Sequence, residues 1–292
     1  MSERTRGHWR LWVSHLAGRA AAAPASRWLI PWFARHYRIH REEAVRPDGG
    51  YRNLQQFFCR ALRAELRPIA SEPGVFVSPC DGILTASASS HSGQLVQAKG
   101  HTYTLEALLG DAARAQQFRG GSYATIYLAP ADYHRVHAPA AGLVREARYL
   151  PGTRWSVSPR TAARVPNLLA GNERLITYLD TASGAIAIVM VGACLVGAIR
   201  VNYDPGWNAG PGPHVADRRR YDPPASLARG QELGRFEFGS TVILLTAPGV
   251  AAGLLAEAGQ RVRMGAALLR VFPASPSNAA ASSPATPRPG AY

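Results

Sequence analysis

The sequence predicts a short helical region followed by a β-rich, duplicated sandwich, and three observations carry that prediction. Apolar residues recur at helical spacing in the first seventy positions. From Val75 to Phe272, short apolar and β-branched runs alternate with Gly/Pro turns. A P-x-x-G followed by two apolar residues occurs twice, in VSPCDGIL (Val77–Leu84) and HAPAAGLV (His137–Val144). The 292 residues suffice for one large domain with accessories or two modest ones. A Rossmann or P-loop sheet is not indicated, because neither glycine fingerprint is present.

The helices come first. Trp9, Trp12, Val13 and Leu16 fall at i, i+3, i+4, i+7, one face of a helix. Leu29, Trp32, Phe33 and Tyr37 repeat the pattern, with Pro31 suited to a first turn. Basic amphipathic helices with tryptophan on the apolar face either lie in a membrane interface or pack on the protein's own core. A third helix is expected from Leu54 to Leu66, ended by Pro68.

The β region follows. Its longest apolar run, Ala185–Ile199, is short of the ~20 residues that span a bilayer, so a buried pair of strands is expected there. AGQRVRMGAALLRVF (Ala258–Phe272) reads as strand, glycine turn, strand. Residues 274–292 are low-complexity and read as a disordered tail.

Charge narrows the function classes. The net charge is +14, from 33 basic and 19 acidic residues, and suggests an anionic partner or an arginine-rich codon bias. Lys99 is the only lysine, so a lysine Schiff base with pyridoxal phosphate has a single candidate. Cys59, Cys80 and Cys194 make no disulfide framework and no zinc spacing; a reducing compartment is expected. The N-terminus has no uninterrupted apolar stretch of the signal-peptide kind.

Three places could carry chemistry. Asp81 stands in SPCDGIL, where an Asp-Gly pair is most often a turn. His134 and His137 stand three apart in YHRVHAP, so on a strand they face opposite sides. With no third ligand at a telling spacing, no metal site is expected. Ser240 opens a strand-like run in FEFGSTVILL (Phe236–Leu245). The context is not the G-x-S-x-G elbow of α/β hydrolases. A serine followed by a buried strand is poorly placed for an external ester and well placed to attack the carbonyl before it. Gly239 leaves that carbonyl sterically open. An N→O acyl shift, elimination and hydrolysis would then leave a pyruvoyl group at residue 240. Such a group can form a Schiff base with a substrate amine and draw off electrons in a decarboxylation without any lysine.

At this point the chain resembles the bacterial, membrane-associated phosphatidylserine decarboxylase family, from about residue 10 to 273. The motifs are FFCRALRAELRPI (57–69), SPCDG (78–82), QAKGHTYTLEALLG (97–110), YLAPADYHRVHAPAAG (127–142), VPNLLAGNER (165–174), VGACLVGAI (191–199) and GRFEFGSTVILL (234–245). Each is weak alone; seven in order are specific. The resemblance implies an α+β fold: N-terminal membrane-associating helices over 1–70, a sandwich- or barrel-like catalytic domain over 71–273, and the tail. It implies self-cleavage between Gly239 and Ser240 into a β chain, 1–239, and an α chain, 240–292. Asp81, His137 and Ser240 match the family's self-cleavage triad, with Ser240 becoming the pyruvoyl cofactor. His134 matches a second histidine that moves a proton in decarboxylation. The implied partners are phosphatidylserine in an anionic membrane and a second copy of the chain, with no nucleic acid. The implied location is the cytoplasmic face of the bacterial inner membrane. Phe238 stands where the family usually has leucine. Two rivals remain open: an Asp81/His137/Ser240 hydrolase acting on an external ester, and a lipoyl-like carrier or binding module.

Overall fold

In the computed structural model, residues 18–90, 93–98, 101–193, 198–207, 215–237 and 240–272 are described. Thus the Trp9–Leu16 pattern, Lys99, Cys194, the Phe238–Gly239 step and the 274–292 tail lie outside the described residues.

The fold is α+β and β-rich. Its backbone is an eight-stranded sheet whose strands run, edge to edge, Asp217–Leu227, Gly142–Leu150, Arg174–Thr181, Gly184–Gly192, Ser240–Thr246, Ser122–Leu128, Gly82–Ser89 and Arg261–Val262. Every pairing is antiparallel. The sheet is open, with Asp217–Leu227 and Arg261–Val262 at its two ends, so the barrel-like alternative does not hold for the described residues. The two P-x-x-G echoes open Gly82–Ser89 and Gly142–Leu150. These are the second strands from opposite ends of the sheet, which fits a duplicated plan. A Cβ at residue 82 would collide with the Tyr127 carbonyl oxygen, and one at residue 142 would lie 2.5 Å from the Asp180 carbonyl oxygen. Glycine is therefore required at both for the neighbouring strand to approach.

Ser240–Thr246 lies inside this sheet, paired to Ser122–Leu128 on one side and Gly184–Gly192 on the other. All seven of its residues are buried. Alternation sends Val242 and Leu244 to one apolar layer, with Ile126, Leu128 and Met190. Ile243 and Leu245 go to the opposite layer, with Tyr123, Ile176 and Val189. Burial on both faces explains why the run reads as continuously apolar rather than alternating. Of the strand pair expected in 185–199, one strand, Gly184–Gly192, fills the run; the next, Ile199–Val201, begins at its last residue and belongs to a different sheet.

A three-stranded sheet orders Ile199–Val201, Glu232–Phe236 and Arg135–His137. It carries His137, with His134 immediately before its strand, and the strand that leads toward the Gly239–Ser240 step. Another joins Val75–Val77, Ala267–Val271 and Ala251–Leu254. The strand–Gly–strand reading of 258–272 is found, but its two strands enter different sheets, because Arg261–Val262 pairs with Gly82–Ile83. Gly265, at φ 87°, makes the turn between them.

The helices form a separate apolar cluster. Ile30–His36 has proline in its first turn and buries Ile30, Phe33 and Ala34 against Phe57 and Phe58. Trp28, Leu29 and Trp32 point outward, 74%, 52% and 61% exposed. The predicted single apolar face is thus two faces, one turned inward and one to solvent. The expected helix 54–66 is shorter: Leu54–Phe58, then a 3-10 turn at Ala64–Leu66. Between them, Ala61 and Arg63 bond the backbone of Val45 and Glu43, and Leu62 bridges Ala44. Tertiary pairing overrides helical propensity there.

Candidate active site

Ser240 is the first residue of its strand and is fully buried. Its Oγ lies 3.2 Å from His134 Nδ1, the imidazole that immediately precedes Arg135–His137. The His134 carbonyl accepts from Phe236 N–H, so the strand running toward the 239–240 step fixes this histidine's backbone. Its Nε2 lies 3.0 Å from the Ala129 carbonyl oxygen. A carbonyl can only accept, so Nε2 carries the proton and Nδ1 presents its lone pair to the serine hydroxyl. The Phe58 ring stacks on this imidazole at 3.9 Å between centroids. Burial, reinforced by the positive charge of Arg60, pushes the His134 pKa down to about 3. The ring is therefore neutral across the physiological range.

His137 faces another way, as strand alternation requires. Its Nδ1 lies 2.8 Å from the Gly230 carbonyl oxygen and its Nε2 3.0 Å from the Tyr133 hydroxyl. The carbonyl fixes the proton on Nδ1, so Tyr133 O–H donates to Nε2. Burial lowers the His137 pKa, opposed by the Gly230 hydrogen bond and by the charges of Glu232 and Asp81.

Asp81 is buried and gripped by Arg67, with Nε 2.9 Å from Oδ1 and Nη2 2.6 Å from Oδ2. Met264 N–H also donates to Oδ1 at 2.8 Å, from the turn that Gly265 completes. Asp81 thus acts on His137 through its charge rather than a hydrogen bond. The structure brings His134 to Ser240 and Tyr133 to His137; it does not join Asp81, His137 and Ser240 by direct hydrogen bonds. Gly239 lies outside the described residues. Among the described residues no cluster of three His, Cys, Asp or Glu could hold a metal.

Phe58, Arg60, Arg67 and Tyr133 were not singled out from sequence. All four stand inside motifs quoted above, but nothing in their spacing marks them, least of all two arginines in an arginine-rich chain.

A family model for phosphatidylserine decarboxylase matches residues 54–270. The chain belongs to the phosphatidylserine decarboxylase family. It is 43% identical over 251 residues to a phosphatidylserine decarboxylase proenzyme of Escherichia coli O9:H4, covering 82% of this chain and 77% of that one. It is 42% identical over 276 residues to the proenzyme of that name from Yersinia enterocolitica, covering 90% of this chain and 94% of the relative. The matched span contains Asp81, His134, His137 and Ser240, so these residues lie within the region shared with the family rather than in an appended segment.

Proposed function

We propose that this chain decarboxylates phosphatidylserine to phosphatidylethanolamine and CO2, after cutting itself at Gly239–Ser240. The observation that carries the reading is a neutral imidazole in contact with a serine hydroxyl at the head of an internal strand, in a member of this family. Residue 240 fits a pyruvoyl group. It is a serine preceded by glycine, and the strand after it is paired on both sides, so a newly made terminus would be held in place. Such a group would supply at residue 240 a carbonyl able to condense with an amine and to accept the electron pair of a departing carboxylate.

Self-cleavage needs a base for Ser240 Oγ–H. His134 is nearest, but an imidazole whose conjugate acid has a pKa of about 3 is a feeble base. His137 keeps more basicity, because Gly230, Glu232 and Asp81 counter its burial. Its Nε2 already accepts from a hydroxyl, that of Tyr133. We assign activation of Ser240 to His137 and Asp81, with the serine hydroxyl taking the place of Tyr133 on Nε2. The Oγ–C bond to Gly239 then forms as the 239–240 C–N bond breaks. Loss of the residue 240 α-proton expels the Gly239 carboxylate, and hydrolysis releases ammonia. In turnover His134 Nδ1, set against residue 240 and bare in the resting fold, takes up the proton that the lipid ammonium sheds on condensation and returns it to the substrate α-carbon.

The membrane reading is supported by the outward Trp28, Leu29 and Trp32 beside Arg27, whose guanidinium lies over the Trp28 ring. Among the described residues no helix is long and apolar enough to cross a bilayer. We propose peripheral attachment through this face, on the cytoplasmic side of the inner membrane. Intact mass spectrometry with a CO2-release assay on phosphatidylserine vesicles tests the whole. Two fragments and CO2 are expected; Ser240→Ala should give one chain and no CO2. Two chains from Ser240→Ala would overturn the reading.

A further inference from the structure

A cavity of about 670 Å³ has Arg38, Arg60, Arg67, Asp81, Tyr133 and Arg263 in its walls, and it adjoins the site through Tyr133, whose hydroxyl bonds His137. Arg67 is committed to Asp81 and Glu43, and Arg261, at the rim, to Asp132. Arg38, Arg60 and Arg263 have no carboxylate within ion-pair distance among the described residues. Arg60 is the unusual one. It is 5% exposed, yet Nη2 alone is hydrogen-bonded, to the carbonyls of Ala131 and Asp132. Its Nε and Nη1 have no hydrogen-bond partner. The guanidinium lies over the Phe57 ring at 5.4 Å, yet two of its three nitrogens stay without an acceptor, which is costly unless a ligand completes them. Arg38 adds a second irregularity: it holds a left-handed backbone, φ 55°, where glycine or asparagine is the usual residue.

We propose that this cavity holds the phosphodiester of the lipid headgroup, with Arg60 as its buried donor and Arg38 and Arg263 completing the positive wall; this rests on the decarboxylase reading above. The headgroup carries two anions, and the chemistry chooses between them. The carboxylate loses its charge as CO2 forms, so an arginine gripping it would stabilise the ground state and slow the reaction. The phosphodiester keeps its charge throughout, so arginines there anchor the substrate without opposing the chemistry. A planar guanidinium also matches phosphate oxygens in a fork geometry.

Calorimetry on the full-length wild type and on Arg60→Gln tests this with three soluble probes. Glycerophosphoglycerol carries the diester with neither amine nor carboxylate. N-acetylserine carries the carboxylate with no phosphate. Inorganic phosphate stands for a free-phosphate source. The diester is expected to bind the wild type more tightly than either alternative, and Arg60→Gln about tenfold more weakly. Tighter binding of N-acetylserine, or of inorganic phosphate, overturns the proposal. Where Arg60→Gln does not fold, Arg38→Gly removes a cavity cation at a position whose backbone suits glycine. It should weaken the diester at least threefold without lowering the thermal midpoint, and unchanged affinity overturns the proposal. The Arg60-dependent diester binding requires no turnover, so it would stand if phosphatidylserine released no CO2, and that result would sink the decarboxylase reading alone.

Discussion

The imidazole of His134 meets the hydroxyl of Ser240 at 3.2 Å, and the Ala129 carbonyl behind it decides which ring nitrogen does so. His137, three residues on, is held by Gly230 and Tyr133 instead. Two histidines on opposite sides of one short strand should therefore fail differently. His134→Ala is expected to cut, at least partly, but to lose decarboxylation by about 10²–10⁴-fold, the range for a missing general acid. His137→Ala is expected to remain one chain on a denaturing gel. Normal CO2 release from His134→Ala would remove it from the turnover step.

Tyr133 occupies the His137 nitrogen to which the proposed cleavage assigns the Ser240 proton. Its hydroxyl donates to His137 Nε2, and the tyrosine pKa is raised, chiefly by burial, so it stays a donor. Tyr133→Phe frees the lone pair and keeps the ring. Self-cleavage, followed as the loss of full-length chain after synthesis, should proceed at least as fast as in the wild type. A tenfold slower cut would mean that Tyr133 supports the base rather than occupying it.

The depressed pKa of His134 has a signature in stability. Its folded pKa is about 3, below the unfolded value of 6.5, so between those values the unfolded chain binds the proton and the folded chain does not. Stability contributed by the neutral ring is complete above pH 6.5 and is lost as pH falls toward 3. The slope is at most about 1.4 kcal/mol per pH unit. His137 shifts in the same direction and adds to it. Urea unfolding between pH 4 and 7.5 should show a shallower slope in His134→Gln than in the wild type. Equal slopes would mean that His134 is protonated in the fold.

Much of this frame was legible because burial leaves a plain mark on sequence. Ser240–Thr246 is apolar on both faces, and that is how it read. The two P-x-x-G turns pointed to related strands because glycine there answers to backbone contact. Sequence spacing overstates the helix at 54–66 past Phe58, since helical periodicity continues while residues 61–63 pair with residues 43–45. The alternation that separates His134 from His137 could be read from their spacing. What each faces could not, because Gly230 and Ser240 are brought in by strands about a hundred residues away. Arg60 left no trace at all: its burial depends on two carbonyls of the 131–132 loop.

Trp28, Leu29 and Trp32 are exposed while their neighbours Ile30 and Phe33 hold the helix to Phe57 and Phe58. Replacing the three outward residues by serine should leave the thermal unfolding free energy within about 0.5 kcal/mol, as for other surface changes. Flotation with anionic vesicles should fall at least tenfold, because apolar area and basic charge act together at an interface. Unchanged flotation would assign membrane attachment elsewhere in the chain.

Leu244 tests how the cut protein stays whole. The proposed cut at Gly239–Ser240 would fall at the start of Ser240–Thr246, so the α chain would then be held by that strand's pairing to Ser122–Leu128 and Gly184–Gly192 and by burial on both faces. Leu244 is fully buried, in the layer that also contains Ile126 and Met190. Leu244→Ala removes transfer energy and leaves a cavity, a loss of about 2–5 kcal/mol. In an uncut Ser240→Ala background this lowers the unfolding midpoint but cannot release a fragment. In the cut protein the same loss falls on the association of two chains. The α chain should then appear in the low-mass fraction on size exclusion in mild denaturant, where the wild type still elutes intact. Equal retention of the α chain in both would show that contacts outside this strand dominate the association.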